Sequence, residues 1–259
     1  AGNFTKVRLL PALKESHVDF HTIASKHGLS SSSASKKFGF KKNTNDLNNI
    51  WSNEEIDTVF ITTRHDTHAS LVIKAIECGK NVFVEKPLAI NLYQIEDIQT
   101  AIKNNPNSVL MVGFNRRFAP HILKMKTLLD ARKQPKSFIF TINAGFIPAD
   151  HWVQDLKVGG GRIIGEVCHF IDLMCFLSGS PINEWSVQSM GNDTLKDKVT
   201  INLIFKDGSL GSIHYLANGS KRFPKERVEV FCGGSIIQLD NFRKMKGFGW
   251  VTIGLQFKT

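Results

Sequence analysis

Cysteine is scarce in this chain of 259 residues, and the four present are scattered. Cys78, Cys168, Cys175 and Cys232 form no C-x-x-C pair, which argues against a zinc ribbon, a disulfide framework or any metal centre and favours a reducing compartment, the cytoplasm. Long apolar runs are missing too. None reaches the roughly 20 residues that a bilayer-spanning helix needs, so no membrane partner is expected. The opening Ala1-Gly2-Asn3-Phe4-Thr5-Lys6 lacks the apolar core of a secretory signal. Acidic residues are outnumbered, 23 against 33 Lys and Arg, for a net charge of +10. The excess is dispersed: Lys41-Lys42 and Arg116-Arg117 are pairs rather than tracts, and no basic stretch is interleaved with aromatics. That pattern describes a solvated basic surface rather than a nucleic-acid interface.

What is present is the make-up of a packed protein, 42% hydrophobic and 22% charged. The first half alternates short, β-branched apolar runs with helical stripes. Strands are expected at 18–24, 58–62, 82–84 and 109–112, each apolar enough to be buried on both faces. Between them, Leu71, Val72, Ala75 and Ile76 fall on one helical face that Gly79 ends. Asn91 is placed to cap a second helix, with Gln94 three residues on and Ile95, Ile98 and Ile102 at helical spacing. Strand–helix–strand alternation predicts an α/β fold, a doubly wound parallel sheet. After Gly113 the rhythm changes. A helix over about 120–131 is followed by a strand at 137–144, a glycine run Gly159-Gly160-Gly161, and a helix ending near Gly179. Strands near 185–189, 199–205, 210–216 and 228–231 then suggest an α+β domain with an open antiparallel sheet, Asp207-Gly208 being a hairpin turn. The expected division is 1–115 and 116–259. The first strand of the doubly wound sheet is not found before Gly2, and no stop signal precedes Thr259, so both domains are expected to be truncated.

Three short segments carry candidate chemistry. Gly2, Asn3 and Phe4 could be the end of a glycine loop that lets a backbone approach a pyrophosphate at a helix N-terminus. Thr62-Thr63-Arg64-His65-Asp66-Thr67-His68 and Glu85-Lys86-Pro87 each directly follow a strand, and the carboxyl ends of parallel strands are where such sheets bind ligands. Taken singly, each could equally be a solvated loop.

In order, these segments resemble the glucose–fructose oxidoreductase / inositol dehydrogenase family (Gfo/Idh/MocA). Val59 to Ala89 is the most specific stretch. Gly113-Phe114-Asn115-Arg116-Arg117-Phe118 resembles that family's crossing into its second domain, and Gly159-Gly160-Gly161 followed by His169 and Asp172 resembles its catalytic helix. Asn143–Asp155 and Gly159–Asp172 further resemble a module fused behind a zinc-type alcohol-dehydrogenase-like domain. The resemblance implies a Rossmann domain with NAD or NADP, a substrate- and oligomer-forming second domain, and an active site between them. It implies a hydride-transferring oxidoreductase of a sugar, nucleotide sugar or cyclitol, paired with further copies of itself through the second-domain sheet. The net positive charge would help attract an anionic substrate such as a nucleotide sugar. By the same resemblance Lys86 and His169 are catalytic, and Thr62, Thr63, Arg64, His65, His68, Glu85 and Lys86 itself face the cofactor with Gly2, Asn3 and Phe4.

The residues themselves make this chemistry workable. An imidazole such as His169 titrates near neutrality and can take the alcohol proton, while an ammonium such as Lys86 can stabilise the oxygen left behind. One departure stands out: where many family members carry an aspartate four residues before the histidine, this chain has Gly165. Glu166, three residues before His169, shares its helical face and is the substitute candidate. Asn115, Arg116, His151, Trp152 and Asp172 are candidates for substrate contact, the Trp152 ring being suited to a sugar face. Ser25-Lys26 stands at the end of the 18–24 strand, where an acidic residue would favour NAD. A hydroxyl and a cation there lean slightly to NADP. The alternative function is a non-catalytic dinucleotide sensor or regulatory module.

Overall fold

The short apolar runs of the first half form parallel strands. The structure, a computed structural model, describes residues 2, 4–26, 28–191, 195–250 and 257–258, and divides into two units, Ala1–Gly113 and Phe114–Thr259. In the first unit, β1 (Thr22–Ala24) pairs in parallel with β2 (Lys42–Thr44), and β3 (Thr58–Ile61), β4 (Asn81–Val84) and β5 (Leu110–Val112) form a second parallel sheet in that order. A helical stretch opens the chain as a π-helical turn, Thr5–Leu9, continued by α1 (Leu10–Lys14). Further helices are α2 (Gly28–Phe38), α3 (Asn48–Trp51), α4 (His68–Glu77) and α5 (Leu92–Asn104). Val72, Ala75 and Ile76 of α4 and Ile98 and Ala101 of α5 pack with Ile61, Val82 and Val84 in one buried cluster. Each large aliphatic side chain so buried contributes on the order of 1.5–3 kcal/mol.

The ends of these helices follow the local sequence. Gly79 has φ +69°, and the amides of Gly79 and Lys80 bond the carbonyls of Ile76 and Ala75, the paired closure that a left-handed residue permits. Asn91 caps α5 by accepting the Gln94 amide at 3.0 Å, while Gln94 Oε1 accepts the Ile90 amide at 2.9 Å.

The second unit holds α6 (Pro120–Asp130), β6 (Ser137–Asn143), a π-helical turn Ile163–Val167 running into α7 (Cys168–Ser178), β7 (Ile182–Ser189), β8 (Lys198–Phe205) and β9 (Leu210–Leu216). It continues with β10 (Glu226–Cys232), β11 (Ser235–Asp240), β12 (Lys244–Phe248) and β13 (Phe257–Lys258). These strands form one sheet, ordered β13-β12-β11-β10-β6-β9-β8-β7. All neighbours are antiparallel except β6 and β9, which pair in parallel, so the expected antiparallel sheet is present with one parallel pair. Alternate residues of β6, β8, β9 and β10, from Phe138 and Ile201 to Ile213 and Val230, face a core shared with Met125 of α6 and Leu173 and Met174 of α7. Gly211 allows the close approach: a Cβ there would lie 2.0 Å from Met174 Sδ. No helix among the described residues is long and apolar enough to cross a membrane.

Candidate active site

In the first unit, the loops that follow β3 and β4 are tied together by a buried histidine. His68, the first residue of α4, is 1% exposed. Its Nδ1 lies 2.7 Å from the Pro87 carbonyl and its Nε2 3.2 Å from the Thr63 carbonyl. Burial holds its pKa below the ordinary value of 6.5 against the opposing pull of those carbonyls. The ring is therefore neutral with a single N–H, which the shorter contact to Pro87 takes. His65 packs beside it, ring centroids 5.7 Å apart, and Thr63 and Thr67 share a hydroxyl–hydroxyl bond of 2.7 Å. Thr63 and Arg64 are exposed and Thr62 half-buried.

Lys86 lies two residues beyond β4, is half-buried, and precedes a cis peptide bond to Pro87. Beside it, burial pushes the Glu85 carboxyl above its usual range, opposed by the charge of Lys86. At Gly113 a Cβ would come within 3.0 Å of Glu85 Oε1, so glycine there leaves room for that carboxyl. Gly2 heads the first helical stretch, its carbonyl accepting the Lys6 amide at 3.2 Å, and nothing lies within 4 Å of where its Cβ would be. Phe4 is exposed, and Asn3 lies outside the described residues. Ser25 bonds the Thr44 carbonyl through its amide, and Lys26 is exposed. Carboxyl ends of parallel strands and an open glycine at a helix start fit a dinucleotide.

A change of pH isolates the role of His68. Because its folded-state pKa is depressed, the unfolded chain takes up a proton near 6.5 that the folded chain refuses, so stability falls as pH drops through that value. Urea unfolding of the first unit should show a lower midpoint at about pH 5.5 than at about pH 7.5. In a His68→Gln variant this acid-induced fall should shrink, and an equal fall in both proteins would count against a buried neutral His68.

In the second unit, His169 lies on α7, 9% exposed, with the Phe114 ring edge-on at 6.1 Å. Glu166, almost a full turn earlier, has a definite set of partners. Arg162 Nε donates to its Oε1 at 2.9 Å and the Tyr215 hydroxyl to its Oε2 at 2.7 Å. Burial would raise the Glu166 pKa, but these two bonds outweigh it and leave the carboxyl below its usual range. An ionised Glu166 bound to Arg162 is not a proton donor near neutrality, and its charge is already matched. The Tyr215 phenol is pushed well above its usual range by burial and by the Glu166 charge, so it stays a donor.

The segment entering this unit is fastened by two arginines. Arg116 donates Nη1 to Glu226 Oε2 at 2.6 Å and Nη2 to Oε1 at 2.8 Å, and lies over the Phe170 and Phe242 rings at 4.7 and 5.2 Å. Arg117 grips Asp172 with two bonds, Nε to Oδ2 at 2.6 Å and Nη2 to Oδ1. That hydrogen bond to Asp172 is the chief reason the Arg117 pKa is raised. Arg116 and Asp172, expected at the substrate, are thus committed to ion pairs within the protein. Asn115 is exposed, as is His151, whose Nδ1 accepts the Val153 amide at 3.3 Å, and the Trp152 ring tilts beside it at 5.9 Å. Sequence reasoning missed Arg162, Tyr215 and Glu226. Arg162 directly follows the glycine run, but nothing local reveals which distant acceptors it meets. Among the described residues, no group of three or more His, Cys, Asp or Glu could hold a metal.

Residues 1–114 match the model of an oxidoreductase family with an NAD-binding Rossmann fold, GFO_IDH_MocA. These residues make up less than half of the chain, and through them it is similar to the Gfo/Idh/MocA oxidoreductases. Among similar proteins, the myo-inositol 2-dehydrogenase of Thermotoga maritima is 28% identical over 216 residues, 81% of this chain and 64% of the relative. The scyllo-inositol 2-dehydrogenase (NAD(+)) of Bacillus subtilis is 32% identical over 154 residues, 58% of this chain and 44% of the relative. The chain thus spans less than two thirds of the length of either. A levoglucosan dehydrogenase structure in complex with NADH and levoglucosan superposes over 100% of this chain and 77% of its own, with TM-score 0.83 and 22% identity. An oxidoreductase domain protein from Kribbella flavida covers 90% of this chain and 68% of its own, with TM-score 0.80 and 23% identity. Both structures share the fold of this chain.

Proposed function

We propose that this chain is the NAD(P)-dependent oxidoreductase module of a protein that interconverts a secondary alcohol and a ketone on a sugar, nucleotide sugar or cyclitol. The observation that carries the reading is Lys86, held at the carboxyl end of β4 beside the loop after β3 that His68 ties to Pro87, on an NAD-binding Rossmann unit. The inositol and levoglucosan dehydrogenases among its relatives support the substrate class.

Gly2, Phe4 and the 62–68 loop would hold the dinucleotide, which supplies hydride acceptance and donation when bound. His169 takes the proton of the substrate hydroxyl on oxidation and returns it on reduction. Lys86 stabilises developing negative charge on a reacting oxygen. Asn115, His151 and Trp152 orient the sugar, Trp152 by stacking. Self-association would use the face of the second-unit sheet that α6 and α7 leave uncovered, where Ile204, Leu210, Phe231 and Phe248 are exposed.

A reduced-nicotinamide fluorescence titration of the chain tests the cofactor half of the reading. With no carboxylate at 25 or 26 to bond the ribose hydroxyls, NADPH should bind at least as tightly as NADH, and Lys26→Glu should shift the preference to NADH by about tenfold. An unchanged ratio would remove Lys26 from the cofactor site. One observation favours a second reading, a nucleotide-responsive regulatory module: Gly165 stands where a carboxylate is usual, and Glu166 is bound by Arg162 and Tyr215. Binding of cofactor without turnover of any sugar or cyclitol would select it.

A further inference from the structure

Arg162 is the largest fully buried side chain of the molecule among the described residues, at 2% exposure. Burying a guanidinium is costly unless its donors are matched. Here Nε and Nη2 face Glu166 at 2.9 and 3.4 Å, Nη1 donates to the Gly145 carbonyl at 2.7 Å, and Nη2 to the Ala144 carbonyl at 3.2 Å. Asp197, its side chain 2% exposed, places Oδ2 3.5 Å from Nη1. Glu166 and Asp197 hold the Arg162 charge against burial.

The position of those partners in the chain gives the cluster its meaning. Ala144 and Gly145 are the first residues after β6, and Gly161 immediately precedes Arg162. One guanidinium therefore closes the neck of the loop 146–161, whose ends it brings together. Inside the loop the Gly159 and Gly160 amides bond the Asp155 carbonyl, and the Gly161 amide bonds that of Val153. Gly159 packs so closely that a Cβ would lie 2.5 Å from the Val153 backbone. Gln154 reaches from the loop to Asp197 at 3.4 Å. On its other side Arg162 grips Glu166 in the π-helical turn that leads into α7, and Tyr215 of β9 fixes the same carboxylate.

We propose that Arg162 is a positioning residue that sets substrate specificity: it locks the loop carrying His151 and Trp152 onto the turn that leads to His169. The proposal rests on the dehydrogenase reading, since those three side chains are assigned there to the sugar. A planar fork with five donors is required, and lysine cannot supply it.

Arg162→Lys in the same chain tests this by hydrogen exchange and by steady-state kinetics with the best sugar or cyclitol substrate. Amides of 146–161 should exchange about tenfold faster while those of β8 and β9 keep their protection. KM for the sugar should rise about tenfold or more, with a smaller change in kcat and an NAD(P)H affinity within about twofold of the parent. A folded variant whose loop exchanges at the parental rate overturns the proposal. So does a loosened loop with unchanged KM, which would make the cluster merely structural. If Arg162→Lys does not fold, Tyr215→Phe removes only the hydroxyl on Glu166 and should give the same pattern at about threefold; unchanged exchange there is equally fatal. If the parent turns over no sugar, the dehydrogenase reading fails separately, and the exchange arm still decides whether Arg162 locks the loop.

Discussion

Replacing Lys86 with alanine is expected to lower kcat about 10²–10³-fold, the usual cost of removing a group that stabilises a developing oxyanion. Cofactor affinity should stay within about threefold, because an interaction made only in the transition state does not contribute to ground-state binding. Lys86 is half-buried and lies outside the aliphatic cluster of the first unit, so the variant opens no cavity in that core. His169→Ala should cost a similar amount, on the order of 10²–10⁴-fold for a lost general base. A Lys86→Ala protein with parental kcat would leave Lys86 as an ordinary loop residue.

Glu226→Ala is expected to cause a large loss of stability. It strands Arg116, whose side chain is 20% exposed against 9% for Glu226, between the Phe170 and Phe242 rings. Breaking a buried pair from one side costs about 3–5 kcal/mol. The partial exposure of Arg116 and its two aromatic neighbours place this case at the lower end, about 3 kcal/mol, a drop in Tm of roughly 10 °C for a unit of this size. Replacing both partners, Arg116→Met with Glu226→Leu, should restore much of the loss, because no unmatched charge then remains. Thermal denaturation of the three variants checks this. A Tm within about 2 °C of the parent for Glu226→Ala would show that the pair contributes little. Phe170 is the neighbour of His169 in sequence, so loosening Arg116 should also be felt at that histidine.

The parts legible from sequence are those governed by local rules. Gly79 and Asn91 end and begin their helices as their residue types require, and Asp207-Gly208 turns between β8 and β9 with Gly208 at φ +83°. Strands such as β3 and β4 announce themselves by β-branched runs, although β3 is not buried on both faces as expected, Phe60 being exposed and Ile61 alone buried. Missed were β2, whose Lys42-Asn43-Thr44 is too polar to signal a strand, and α2, whose serines blur the apolar stripe. β11 and β12 were also unseen, because Gly233-Gly234 and Asn241 draw the eye to turns. The strand expected at 18–24 is formed only from Thr22. Candidate residues were proposed where a motif lies at a strand end, and the structure places Lys86 just beyond β4 as that motif requires. Partners were not: that Glu166 meets Arg162 and Tyr215, or that Asp172 meets Arg117, depends on contacts between residues up to 55 positions apart.

The most direct test of the proposed oxidoreductase is turnover. The chain, supplied with NAD⁺ and NADP⁺ in turn at about 1 mM, would be offered a panel of inositols, anhydro sugars and nucleotide sugars while reduced nicotinamide is followed optically. Production of reduced cofactor with at least one of these, abolished in Lys86→Ala, is the expected result. A folded chain that reduces neither cofactor with any member of the panel would contradict the assignment of this module as a sugar or cyclitol dehydrogenase.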